Sequence, residues 1–224
     1  MSVSASTTHS DTKAANHTGP YLPHEVDFSK LHYSEVKQMG NGPAKMCYLD
    51  YGGNKFVLET PWLLTYDGIR QPPPEYRDEN AAPKYSIEFS MKGYKGEDDE
   101  VKAFYDMLEN FQNKLLDDSC HKNYSYAWHK KKDMSRAVAE ALYSPTLKFS
   151  RDKDTGDISE QYPPKLKVKV PCWEGEWQCE VYNHADQKKV EGDLSELVTG
   201  RMEARAIIQC TGLWLSLIHI SEPT

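Results

Sequence analysis

A mainly β domain, α+β in content and built as a small antiparallel barrel with a helical insertion, is predicted by three observations. Short alternating runs punctuated by turn residues occupy both ends of the chain. One long amphipathic run with an acidic start lies between them. No internal repeat or second boundary divides the 224 residues, a length suited to a single sizeable core.

The elements follow in order. Residues 1–25 are rich in Ser, Thr and Ala and read as a disordered tail. From 26 to 68 the pattern is a meander: a turn at 40–43, a strand at 44–51, a hairpin turn at Gly52-Gly53-Asn54, a strand at 55–60, and a further run at 62–66 that stops before Asp67-Gly68. Three successive prolines, 72–74, open a loop that reaches Pro83. Residues 84–92 alternate as a strand, with Tyr85, Ile87, Phe89 and Met91 on the core face.

The helical insertion spans about 96–143. Its main helix, 96–118, begins with Glu97, Asp98, Asp99 and Glu100, where the helix dipole favours negative charge. Val101, Phe104, Tyr105, Leu108, Phe111 and Leu115 then recur at helical spacing. A second helix is expected over 133–142, just ahead of Pro145. Strands return at 146–150 and 165–170, where Leu166, Val168 and Val170 alternate with three lysines. Glu174-Gly175 turns the chain into 176–182, and 202–214 reads as one long closing strand.

The last ten residues, LSLIHISEPT, are identical to the in-frame translation of a transposase-type sequencing adapter. Residues 215–224 are therefore expected to be adapter read-through, leaving 26–214 as the domain.

Composition narrows the functional classes. No run reaches the roughly 18 apolar residues of a membrane helix, and the N-terminus lacks the basic start and apolar core of a secretory signal. Five cysteines without CxxC spacing point to reduced thiols and an intracellular, non-secreted protein. No phosphate loop, dinucleotide fingerprint, HExxH or GxSxG motif is present. Cys120, His121 and His129 form a cluster too sparse for metal or thiol chemistry, and Asp98, Asp99 and Glu100 are explained by the helix start. No catalytic residue, metal or cofactor is expected.

Charge is the more informative signal. The net charge is -7, yet residues 119–172 hold 11 of the 27 Lys and Arg against 6 of the 34 Asp and Glu. A basic segment in an acidic chain suits one face for an anionic partner. Within it, over 121–132, Tyr124, Tyr126 and Trp128 lie among the cations Lys122, Lys130, Lys131 and Lys132, in a stretch read as the link between the two helices. Aromatic rings can stack on bases while lysines neutralise phosphates. Lys165, Lys167 and Lys169 add a second cationic line, joined by Lys148 and Arg151. The competing reading is a virion or scaffold protein whose lysines are only surface charge.

Three stretches carry a family likeness: ETPWLLTYDG at 59–68, KYSIEFSMKG running into the acidic-start helix over 84–118, and IIQCTGLWL at 207–215. Their order resembles the phage-type OB-fold single-stranded DNA-binding proteins that large nucleocytoplasmic DNA viruses also carry. The likeness covers residues 26–214 and is one of pattern and order. It implies an OB barrel that binds single-stranded DNA without sequence preference during viral DNA replication and recombination. Phage members end in an acidic tail for partner contacts and dimerisation. The resemblance thus implies replication-protein partners and a homodimer for the complete protein, with no such tail visible before the adapter string.

Overall fold

A computed structural model describes residues 19–41, 44–77 and 82–215. The expected tail as far as residue 18, half of the turn at 40–43, the middle of the proline loop and residues 216–224 lie outside the described residues. The tail expectation extends too far inward. Tyr21 donates its amide to Val57 (2.9 Å), accepts from the Glu59 amide (3.0 Å) and sets its ring edge-on against Tyr51.

Strands β1 (Leu31–Tyr33), β2 (Lys37–Gln38), β3 (Lys45–Tyr51), β4 (Phe56–Glu59), β5 (Leu63–Arg70) and β6 (Tyr85–Ser90) precede the helices. Helices α1 (Asp99–Cys120), α2 (Lys122–His129) and α3 (Arg136–Leu142) follow without an intervening strand. The chain then forms β7 (Leu147–Lys148), β8 (Lys165–Val170), β9 (Cys172–Trp173), β10 (Glu176–Trp177), α4 (Leu194–Leu197), β11 (Met202–Ala204), β12 (Ile207–Cys210) and β13 (Gly212–Leu215).

Among the described residues this is a mixed α+β fold of antiparallel sheets, none of them closed into a barrel. The largest sheet has five strands in the order β11-β5-β6-β8-β7. The long closing strand expected over 202–214 is instead three short ones. They pair in turn with β5, β4 and β3, and the chain breaks step at Arg205-Ala206 and Thr211. The pairing passes from one partner strand to the next at those breaks, so a continuous apolar pattern does not yield a continuous strand.

The core lies between the inner face of the five-stranded sheet, the β3–β4 hairpin and α1. Phe104, Leu108, Phe111 and Leu115 of α1 meet Tyr51, Phe56 and Leu58 from the hairpin and Ile87, Phe89 and Leu166 from the sheet. Asp98 starts α1 by accepting hydrogen bonds from the amides of Glu100 and Val101, which satisfies two otherwise unpaired donors. Gly52 and Gly53, at φ of 60° and 83°, close the β3–β4 hairpin in the left-handed conformation that a two-residue turn needs.

Two departures from expectation matter for the site. β5 does not stop at Asp67-Gly68. A bulge between Thr65 and Ile69 carries it on to Arg70. Gly68 permits this at φ of 67°, because a Cβ there would lie 2.1 Å from the Val198 carbonyl oxygen. The stretch read as a link between two helices is itself helical, as α2. The next helix begins at Arg136, capped by Ser135, later than the expected 133. Elsewhere the strands expected at 146–150 and 176–182 shrink to the two-residue β7 and β10.

Candidate nucleic-acid interface

Helical spacing decides what the aromatic tract does. Tyr124 and Trp128 are four residues apart on α2, so both point to the same side. That side is inward. Trp128 is 3% exposed, stacked on Tyr124 at 5.1 Å and edge-on to Tyr33 of β1 at 4.9 Å. Tyr33 also donates its hydroxyl to Asp118, whose carboxylate pairs with Lys114 at 2.7 Å. Trp128 therefore cannot serve as a base platform: its ring is the wedge that seats α2 against β1 and α1.

Tyr126 falls on the opposite side of α2 and is 55% exposed, with the Lys130 ammonium 5.1 Å from its ring centre. Lys130 ends the helix in the left-handed conformation, and Ser125 donates to the Lys132 carbonyl at 3.2 Å. Lys130, Lys131 and Lys132 are all exposed. His129 is half-buried, and that burial, with Lys131 beside it, pushes its pKa below the ordinary 6.5. His121 caps α2, accepting from the Asn123 amide at 3.3 Å. Among the described residues no three His, Cys, Asp or Glu side chains gather to hold a metal ion.

The lysine row behaves as its alternation predicts. Leu166 is buried and Val168 and Val170 pack on the core, so Lys165, Lys167 and Lys169 take the outer face of β8. Register extends that face across the sheet. Lys148 of β7 lies opposite Lys165, and Ser90, Glu88 and Ser86 of β6 lie opposite Lys165, Lys167 and Lys169. Arg70 of β5 lies opposite Ser86. Five cations from three strands thus share one surface. Arg70, Gln71, Pro72, Pro73, Arg77 and Lys167 line a cleft of about 360 Å³ together with Ser86 and Glu88.

An exposed ring adjoins this face. Trp214 of β13 is 58% exposed, and the Lys169 ammonium lies 5.8 Å from its ring centre. On the same face of β3 and β13, exposed Tyr48 carries the Lys37 ammonium at 5.6 Å. Arg151 stands apart from this arrangement, donating to the Gly156 carbonyl at 2.8 Å within its own turn.

The expected site residues therefore divide. Lys148, Lys165, Lys167 and Lys169 are brought together, whereas Tyr124, Tyr126, Trp128 and Lys130 to Lys132 belong to the α2 corner, which packs on β1 and α1. Arg70, Arg77, Glu88, Tyr48 and Trp214 went unread in the sequence. Their membership depends on a bulge, a loop and strand pairings that no local pattern reveals. No family model, curated protein or solved structure matches this chain.

Proposed function

We propose that this chain is a non-catalytic, sequence-independent single-stranded DNA-binding protein, acting in viral DNA replication and recombination as the family resemblance implies. One observation carries the reading: a row of outward lysines on β8 ends with Lys169 against the exposed ring of Trp214. The row offers a repeat of roughly 6.6 to 6.8 Å between alternate side chains. Flexible single strands can adapt their phosphates to such a line while bases stack on adjoining rings. The successive pairing of β11, β12 and β13 with β5, β4 and β3 supports an OB-type arrangement.

Titration of the 224-residue chain with single-stranded and duplex DNA at two salt concentrations tests the reading. The expected result is a preference for single strands, tryptophan quenching, and affinity that falls steeply with salt. Binding that ignores salt, or no binding by folded protein, overturns it in favour of a scaffold role.

A further inference from the structure

Glu88 is set among the cations of the face, and Arg70, which it shares with Asp67 at 3.0 Å, is the only one of them that a second carboxylate also pairs with among the described residues. Its carboxylate lies 3.6 Å from Arg70 Nη2, 3.6 Å from Lys165 Nζ and 3.9 Å from Lys167 Nζ. Cross-strand register fixes this position, because Glu88 stands directly opposite Lys167 on the neighbouring strand. The side chain is 21% exposed and forms part of the cleft that also holds Arg77. Its neighbours on the same face of β6 are serines, Ser86 and Ser90, so the carboxylate has no acidic company on that strand face.

We propose that Glu88 is a resident anion of the DNA-binding face, occupying the place between three cations that a backbone phosphate takes when a strand binds. The inference rests on the single-stranded DNA reading above. An incoming phosphate must draw Arg70, Lys165 and Lys167 away from the carboxylate and tolerate it as a neighbour. Glu88 thereby lowers the affinity of an otherwise strongly cationic surface and speeds release of the strand. It also relieves the mutual repulsion of the cations in the unbound protein. A nonspecific binder that must be cleared from its template gains from both effects.

The test is fluorescence anisotropy with labelled oligothymidylate, using the full chain as wild type, Glu88→Gln, Glu88→Ser and Glu88→Asp. Each neutral variant is expected to bind about tenfold tighter at physiological salt. Each is also expected to steepen the log–log salt dependence by about 0.7, one further phosphate neutralised. Glu88→Asp, which keeps the charge, is expected to stay close to wild type. A folded neutral variant with wild-type affinity overturns the proposal, as does Asp tightening binding as much as Gln. A role confined to ion pairing within the fold predicts a lower melting temperature for Gln and Ser with no gain in affinity. Wild type that binds no single-stranded DNA removes the functional reading itself, an outcome distinct from wild-type binding that Glu88→Gln leaves unchanged.

Discussion

The α2 corner and the β8 face contain the same ingredients, aromatic rings and lysines in close sequence, and put them to opposite uses. On α2 the period of 3.6 gathers Tyr124 and Trp128 on one side, where both pack on Tyr33 and Trp128 is buried. On β8 the period of 2 sends every lysine outward and every aliphatic residue inward. Tyr124 and Trp128 become packing, while Tyr126 stays exposed beside Lys130. The face obtains its ring from Trp214, distant in sequence and delivered by the pairing of β13 with β3. Composition identifies a basic aromatic segment, but the local period determines which side chains a ligand can reach.

The sharpest way to break this comparison is to remove one tryptophan from each region. Trp128→Ala empties a buried site between α1, α2 and β1, and should destabilise the fold by about 3 to 5 kcal/mol. Trp214→Ala removes an exposed ring and should leave the melting temperature nearly unchanged. It should weaken binding to single-stranded DNA by about 1 to 3 kcal/mol. Thermal melts and anisotropy on both variants separate the roles. If Trp128→Ala stays fully stable and loses DNA binding, the assignment of the two rings must be exchanged.

A smaller contrast comes from the cations. Replacing Lys165, Lys167 and Lys169 together with Gln should reduce the slope of log affinity against log salt by about 2. The same change at Lys130, Lys131 and Lys132 removes equal charge from the exposed end of α2 and should reduce it by less. Equal losses would mean that the strand runs over both regions, and the α2 corner would then rejoin the interface.

Much of this arrangement is legible in the sequence. The α1 helix is announced by its acidic start and unbroken apolar stripe, although it runs from Asp99 to Cys120 rather than 96–118 and Asp98 is its cap rather than part of its first turn. The β8 alternation and the Gly52-Gly53 hairpin were equally local, so local pattern sufficed. α2 was not legible, because it is short, starts from a histidine cap, and depends on Tyr33, which lies 91 positions before Tyr124 in the chain. The closing strand misled for the opposite reason. Its apolar run was continuous, but its partners were three separate strands. Arg70 was hidden behind Asp67-Gly68, which reads as a turn and acts as a bulge because the Val198 backbone packs against Gly68.

The smallest expected effect lies in the pH dependence of stability, and it too divides the regions. His129 does not behave like an exposed imidazole, since burial and neighbouring Lys131 hold its pKa below 6.5. In the unfolded chain the ring takes up a proton as the pH falls through its ordinary value, while in the folded protein it stays neutral to lower pH. The unfolded state then binds more protons, so the stability present above pH 6.5 is lost as the pH drops toward the folded pKa. Urea midpoints measured from about pH 7.5 to about pH 5 should therefore decline for wild type and decline less for His129→Gln. An identical decline in both would place the sensitivity outside the α2 corner, and the buried ring of Trp128 would be the remaining mark of that corner's structural role.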